Sequence, residues 1–571
     1  MFLGYGAPAC RVRCEISIDI VVLGGAVASL LGKVPTLAGR IPTVARGVDV
    51  LRKAGLFNPL RLDDALRSTV SMRRWGPVTG AVRIAAGHNP DGLAIVDERS
   101  EHTFAELDRD SNALARAWRE AGVRQGSTIG ILCRDHYGMV LAMVAAGKTG
   151  AKALLGNTGF SKPQLHDVAE REGVTIAVYD EEFGELMSAL PDGVTRYLAW
   201  VDEPDAKHEV PTLAETVATT SAAEVPVPDK AGGIVLLTSG TTGTPKGAQR
   251  EVRSPLAAAE FLDRIPLRSG ETTLICAPIF HGTGLSQFLI TLALGSTTVL
   301  RRRFDPEAAL NSIQHYRASA LVVVPTMLQR ILDLGEQTLA RYDTSTLRIV
   351  FTAGSALSPE LGNRATEVFG QVVHNLYGST EVAVASVATP EDWRRAPGTV
   401  GRCPVGCEVR LYDKAGNRVI TPNKQGRVFV RSGIAFSGYT GGGSKEEIDG
   451  LLSSGDVGHF DADGLLFIDG RDDDMIVSGG ENVYPIEIEN LLVEHAQVSD
   501  AAVIGVPDDE FGQRLKAFVV TEPGAKVDAE EIKAYVKANL ARYKVPRDIT
   551  FIEELPRNPT GKILRNKLAQ S

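Results

Sequence analysis

From about residue 92 onward, short apolar runs alternate with amphipathic stretches long enough to be helices. GLAIVDE reads as a strand, TFAELDRDSNALARAWREAG as a helix, TIGILCR as a buried strand and YGMVLAMVAAGKTGA as a second helix. The first of these helices carries a start signal, Thr103 followed three residues later by Glu106. The rhythm returns at GVTIAVYD, TLICAPIF, TVLRRRF, ASALVVVP and LRIVFTAG. Apolar runs without strict alternation suit strands covered on both faces, and strands separated by helices return to a sheet in parallel. The pattern therefore predicts an α/β fold of layered parallel sheets.

Between Gly398 and Gly470 the rhythm breaks. EVRLYD, GRVFVRS and GLLFIDG are short strands separated by Gly, Asp and Asn turns, with little helix between them, and they predict a small β-barrel or sandwich. Beyond Arg471 mixed α and β returns: a helix from about Pro485, strands AAVIGV and KAFVVT, and a helix opened by Asp528 with Glu531 at capping spacing. Ile532, Tyr535, Val536 and Leu540 should line that helix's inner face. The expected division is a basic, helical arm over 1–90, a large α/β domain over 91–471 containing the barrel at 398–470, and a smaller α+β domain over 472–571 entered through Asp472, Asp473 and Asp474.

Composition narrows the function classes. A chain of 571 residues is too long for one ordinary core, and 44% hydrophobic with 23% charged residues is ordinary for a globular protein. A net charge of -9 offers no global basic field, so nucleic acid is not an expected partner. Six cysteines at 10, 14, 133, 276, 403 and 407 lack disulfide-scaffold or zinc-site spacing and read as reduced thiols in a cytoplasmic protein. Cys403 and Cys407, four apart, have no second pair or histidine near them in sequence.

The N-terminal stretch is distinct. Residues 20–31 form an uncharged apolar run of 12, short of the roughly 20 that span a bilayer. Glu15 and Asp19 interrupt what would otherwise resemble a secretion signal. Twelve Lys/Arg against five Asp/Glu over 1–90, with Val44, Val48 and Leu51 at helical spacing, allow either an arm packed on the main domain or an amphipathic helix touching a membrane surface.

LLTSGTTGTPKGAQR, residues 236–250, raises the question of chemistry. A buried strand leads into a loop where backbone N–H groups, the hydroxyls of Thr238, Ser239, Thr241, Thr242 and Thr244, and the Lys246 cation can converge on an anion. The common nucleotide-binding loop needs Gly-Lys-Ser/Thr opening a helix, whereas here Pro245 precedes Lys246 and Gly247 follows it. A motor-type or signalling NTPase is therefore disfavoured.

With this loop, the chain resembles the adenylate-forming superfamily of acyl-CoA synthetases, peptide-synthetase adenylation domains and firefly-type luciferases. Further motifs follow in that family's order: PIFHGTG (278–284), TAGSALS (352–358), NLYGSTE (375–381), SSGDVGHFDADGLLFIDGR (453–471), SGGENVYPIEIE (478–489) and RNPTGKILR (557–565). The resemblance implies that Thr238, Ser239, Gly240, Thr241, Thr242, Gly243, Thr244 and Lys246 hold the β- and γ-phosphates of ATP. It implies that Gly354, Ser355 and Ala356 lie beside adenine and carboxylate. Asn375, Leu376, Tyr377, Gly378 and Ser379 would complete the nucleotide site, with Tyr377 stacked on adenine. Thr380 would contact the α-phosphate and Glu381 would bind Mg²⁺, a hard cation suited to a carboxylate. Asp456 would accept the ribose hydroxyls and Arg471 would donate to the same side. His281 would stand at the acyl tunnel, Asp473 would be the hinge of a mobile C-terminal domain, and Gly480 would line the pantetheine passage of CoA. Lys562 would be the adenylation lysine.

The implied reaction has two steps: a carboxylate attacks the α-phosphorus of ATP to give acyl-AMP and pyrophosphate, and the thiol of CoA then displaces AMP. His281 favours CoA, and no carrier or condensation module is attached. PIFHGTG shows no aspartate for a substrate amine, so the acid is expected to carry an uncharged tail. The whole chain, arm included, most resembles actinobacterial fatty-acid–CoA ligases, which implies a medium- or long-chain fatty acid. The alternatives are a ligase that stops at acyl-AMP or loads a carrier protein, and a non-catalytic nucleotide-binding protein of the same fold.

Overall fold

The computed structural model describes residues 37–57, 62–203, 206–238, 246–252, 257–379, 381–439, 445–472, 474–478, 481–508, 512–558 and 561–570. The apolar run at 20–31 lies outside them.

Two sheets dominate. The first runs, edge to edge, Ser386–Ala388, Val373–Tyr377, Ile349–Thr352, Ala320–Val323, Thr272–Ile275, Thr297–Leu300, Leu93–Val96 and Glu101–Thr103. Its six inner strands are parallel, and each edge strand pairs antiparallel. The second runs Ile434–Tyr439, Lys246–Val252, Ile234–Thr238, Lys152–Leu155, Thr128–Leu132, Val174–Asp180 and Thr195–Trp200, and its last five strands are parallel.

The unbroken apolar strands follow from burial on both faces. Ile95 faces a core shared by the two sheets, while its neighbour Val96 faces a second core under the helices Pro306–Tyr316, Pro325–Leu332 and Pro359–Phe369. Between the sheets lie the helices Pro77–His88, Phe104–Glu120, Tyr137–Thr149 and Gly282–Ala293, so the large unit is layered helix, sheet, helix, sheet, helix. The helix Phe104–Glu120 starts as its sequence requires: Glu106 N donates to Thr103 Oγ1 (3.2 Å) and Thr103 N to Glu106 Oε2 (2.8 Å). Tyr137–Thr149 is buried on nearly every side, including Lys148, whose Nζ donates to Asp108 Oδ1 (2.8 Å) and Asn112 Oδ1 (2.7 Å).

The boundary placed at residue 90 cuts through this unit. Val78, Ala81, Val82 and Ala85 of Pro77–His88 belong to the shared core, and Thr79 Oγ1 donates to Val144 O (3.0 Å). The chain before residue 90 is thus not wholly an arm, because its last helix fills the interior. Further upstream, Leu37–Ala54 packs on the helix Ala257–Leu262, and Arg46 grips Asp263 with two hydrogen bonds (2.9 and 3.0 Å). Val44 is exposed on that helix, whereas Val50 and Leu51 lean on the core. Among the described residues, no helix is long and apolar enough to cross a membrane.

Six strands between Glu408 and Arg471, among them Glu408–Tyr412, Gly426–Arg431, Leu451–Phe460 and Leu466–Arg471, form an antiparallel sheet, while Ile434–Tyr439 between them joins the second large sheet. Beyond it, a five-stranded sheet centred on Val498–Asp508 and Gly512–Thr521 packs against the helices Pro485–Val493 and Ala529–Asn539. Asp528 caps the latter, its Oδ1 accepting from Glu531 N (2.9 Å), and Ile532 and Val536 are fully buried while Tyr535 stays at the rim.

Candidate active site

The strand Ile234–Thr238 is followed by a second strand, Lys246–Val252, paired with it antiparallel so that Leu237 faces Gly247 and Thr238 faces Lys246. The Thr/Ser/Gly-rich segment therefore joins two antiparallel strands, and the chain from Lys246 continues as a strand and not a helix. The groups this segment offers an anion are its backbone N–H groups, its hydroxyls and the lysine. Ser239, Gly240, Thr241, Thr242, Gly243 and Thr244 lie outside the described residues, as do the side chains of Thr238 and Lys246.

The ends of two parallel strands of the first sheet supply the next residues. Past Ile349–Thr352, Gly354 turns with φ +97°, leaving Ser355 half-buried and Ala356 exposed. Past Val373–Tyr377 the chain folds tightly: a Cβ on Gly378 would stand 1.9 Å from Ala383 O, and Ala383 N donates to Ser379 O (2.9 Å). Ser379 Oγ accepts from Glu381 N (3.2 Å) and Val382 N (3.3 Å) while donating to Glu381 Oε2 (2.9 Å), which orients that carboxylate. Asn375 is buried and reaches Thr399 O, and Leu376 leans on the shared core. Thr380 lies outside the described residues.

Tyr377 and Asp456, distant in sequence, meet directly. The phenol donates to Asp456 Oδ2, and Arg471, directly opposite Asp456 in the Leu451–Phe460/Leu466–Arg471 ladder, approaches Oδ1 at 3.5 Å. Burial raises the Asp456 carboxyl above the usual range, opposed by the Tyr377 hydrogen bond and by the charges of Arg471 and Lys562. Burial and the adjacent carboxylate push the Tyr377 phenol far up, so it stays a donor.

Lys562 thus acts on Asp456 from the other domain. It sits in a small hairpin in which Arg557 bridges Ile563, and its N–H donates to Asn558 Oδ1 (2.9 Å). Arg557 pairs with Asp500 and Arg565 with Glu489, fixing the hairpin to the C-terminal sheet and helix. The lysine side chain itself is exposed. Gly561 (φ +77°) touches the large unit: a Cβ there would stand 2.6 Å from Thr326 Oγ1. Asp473 and Gly480 lie outside the described residues; Asp472 beside them donates its N–H to Gly455 O (3.0 Å).

His281 precedes the helix Gly282–Ala293 as its N-cap residue, with its ring 4.5 Å from Phe280. Its Nε2 is buried and finds no hydrogen-bond partner among the described residues, and burial lowers its pKa to about 4. The imidazole is neutral at ordinary pH.

Two residues absent from the sequence-derived set stand close by. Thr326 meets Gly561, and Asp135 accepts from Ile279 N, two residues before His281. Each follows the C-terminal end of a parallel strand, the place where open α/β sheets bind ligands, and that position was the available signal. Next to Asp135, the ligand atoms of Cys133, His136 and Asp180 lie within 4.8 Å of one another. His136 Nδ1 already accepts from Gly138 N (3.0 Å) and its Nε2 bonds Asp180 Oδ1 (2.8 Å), while Asp180 Oδ2 accepts from Arg134 N (3.0 Å). Burial and Asp180 raise the Cys133 thiol pKa, and these groups form a buried hydrogen-bonded junction. Cys403 and Cys407 are partly buried thiols whose pKa burial raises, and Cys407 Sγ bonds Glu260.

Residues 82–440 match the AMP-binding enzyme family, and residues 487–562 match the AMP-binding enzyme C-terminal domain. The chain belongs to these adenylate-forming AMP-binding enzymes, on their CoA ligase branch. It is 32% identical over 503 residues to a feruloyl-CoA synthase of an Amycolatopsis species, covering 87% of this chain and 99% of that one. It is 31% identical over 504 residues to the fatty acid–[acyl-carrier-protein] ligase ScoC of Streptomyces coeruleorubidus, covering 85% and 94%. Among solved structures, the o-succinylbenzoate CoA synthetase of Bacillus subtilis in complex with its acyl-adenylate intermediate is similar with a TM-score of 0.75 at 28% identity, covering 87% of this chain and 98% of that one.

Proposed function

We propose that the protein joins a carboxylic acid to CoA at the expense of ATP, through an acyl-adenylate, and that the acid is a medium- or long-chain fatty acid. The seating of the Lys562 hairpin carries the most weight. Gly561 lies against Thr326, and the charge of Lys562 adds to that of Arg471 in favouring the ionised Asp456 of the Tyr377–Asp456–Arg471 cluster, which supports a cation of the small domain acting on this site.

ATP would lie with its ribose hydroxyls on Asp456 and Arg471 and its adenine by Tyr377 and Gly354. Its β- and γ-phosphates would rest in the loop capping the hairpin, gripped by Lys246. The acid would enter past His281, whose neutral, buried ring and apolar neighbours suit an uncharged tail. Negative charge spreads over the phosphates as the carboxylate oxygen attacks, and Lys562 and Lys246 would stabilise it from opposite ends without any protein nucleophile. Glu381, oriented by Ser379, fits Mg²⁺, which is ordinarily held by one or two carboxylates together with substrate phosphates. Bound there, the cation would neutralise phosphate charge. Rotation about Asp473 would then bring Gly480 and the CoA passage to the adenylate, a gating step.

Membrane contact through the first residues is proposed only as peripheral. An aromatic acid is the second reading, favoured by the similarity to a feruloyl-CoA synthase, and carrier loading is the third, favoured by the similarity to a fatty acid–carrier ligase. Pyrophosphate exchange with fatty acids of graded length and a set of aryl acids, each with and without CoA, separates them. Exchange restricted to aryl acids would remove the fatty-acid assignment, and AMP release indifferent to CoA would remove the thiol assignment.

A further inference from the structure

Asp135 is nearly inaccessible, with 5% exposure. It follows the strand Thr128–Leu132 of the second sheet, and its Oδ1 and Oδ2 lie 3.1 and 3.2 Å from the backbone N of Ile279. Ile279 belongs to the other sheet's chain: it follows Thr272–Ile275, is fully buried, and stands two residues before His281. One carboxylate therefore spans the shared core and satisfies an N–H that would otherwise be orphaned in the interior.

The turn it holds is stiff. His281 N donates to Pro278 O (3.1 Å) and Leu285 N to His281 O (2.9 Å). A Cβ on Gly284 would stand 2.3 Å from Pro278 O and from Ala277 O, so the first helical turn lies flush on the segment Asp135 grips. The His281 Nε2 has no hydrogen-bond partner among the described residues, so no side-chain hydrogen bond at that atom orients the ring, which is placed by this backbone and by packing against Phe280.

We propose that Asp135 is a positioning residue of the acyl-accepting side of the site, acting through the Ile279–His281 turn. It holds the His281 ring where the carboxylic acid must pass, and it does nothing for ATP. This rests on the assignment of His281 to the acyl side. Burial lifts the carboxyl to about 7, opposed by the Ile279 hydrogen bond and Arg134 and reinforced by Asp180 and Glu98, a cost of burying its charge that the proposed role offsets.

Steady-state kinetics on the full chain test it, with Asp135→Ala, Asp135→Asn, His281→Ala and the double variant Asp135→Ala/His281→Ala. Asp135→Ala frees the Ile279–His281 turn and should raise the KM for the acid about tenfold as the ring leaves its place, with the KM for ATP unchanged. Asp135→Asn keeps an acceptor at Oδ1 and should stay within about threefold of the parent. In the His281→Ala background the Asp135→Ala effect should vanish, because a residue acting through another is silent once that one is gone. Additive effects, an equal rise in both KM values, or an Asn variant as impaired as Ala would each overturn the proposal. If His281→Ala shifts the acid KM but Asp135→Ala does not, Asp135 has no such role and the acyl-side assignment stands; if neither shifts it, both fall. Should Asp135→Ala not fold, Asp135→Glu, which displaces the acceptor by one methylene, takes its place with the same expected rise.

Discussion

At the scale of single residues, the burial of two polar groups sets measurable behaviour. Tyr377 donates a hydrogen bond from its phenol to Asp456, a carboxylate only 9% exposed, so the pair presents one oriented acceptor face. Tyr377→Phe removes a hydrogen bond to a charged group, worth about 1.5 kcal/mol or more, and AMP affinity measured by calorimetry should fall about tenfold. Unchanged affinity would mean that Asp456 needs no such partner. Because burial raises the Asp456 pKa, nucleotide binding should also weaken as pH falls, earlier than an ordinary carboxylate would dictate. His281 works with the opposite sign. Its folded pKa of about 4 lies below the 6.5 of a free imidazole, so the unfolded chain takes up the proton first and stability is lost as pH drops from 6.5 toward 4. Between pH 7 and 5 this amounts to about 2 kcal/mol. Urea unfolding of the parent and of His281→Phe at both pH values should differ by that change; parallel behaviour of the two would show that the ring is hydrated.

At the scale of elements, the parallel strands and their helices were legible because each apolar run is buried on two faces, and no run of that kind can sit at a surface. Thr103 with Glu106 and Asp528 with Glu531 marked helix starts that the hydrogen bonds bear out. Strand partnership was not legible: period tells which side a residue faces, not which strand lies beside it, and so one rhythm concealed two sheets. Nor was the strand Lys246–Val252, whose sequence KGAQREV is polar; its pairing with Ile234–Thr238 and Ile434–Tyr439 makes it a strand. The helix Pro77–His88 escaped for the converse reason, since VTGAVRIAAGH is apolar with no clear polar face and reads as arm. At the site, NLYGSTE was readable as a motif, but the need for its glycine appears only in three dimensions. A Cβ on Gly378 would stand 1.9 Å from Ala383 O, and backbone cannot yield as a flexible side chain can. Gly378→Ala should displace the turn carrying Ser379 and Glu381, and a shift near 1 Å lowers pyrophosphate exchange about a hundredfold. Circular dichroism melting should move far less than activity does; a variant with normal exchange would show the turn to be remote from the chemistry.

At the scale of the whole molecule, the contact between Gly561 and Thr326 is one place where the small domain leans on the large one, beside the lysine whose charge favours the ionised Asp456. If the two half-reactions use different domain arrangements, damage to this contact must fall on one of them only. Gly561 has φ +77°, which an alanine adopts at a cost of about 1 kcal/mol, and its Cβ would press on Thr326 Oγ1 at 2.6 Å. Gly561→Ala should therefore hinder the seating of the Lys562 hairpin, and adenylate formation read by pyrophosphate exchange should fall about tenfold or more. Thioester formation from supplied acyl-AMP and CoA should continue at the parental rate, since it does not need that seating. Thr326→Ala removes the opposing hydroxyl, and combined with Gly561→Ala it should restore part of the exchange, the backbone strain remaining. Equal loss of both half-reactions in Gly561→Ala would point to general damage in the small domain and would sink the idea of a contact belonging to one arrangement. Normal exchange in the same variant would mean that Lys562 reaches its position by another route.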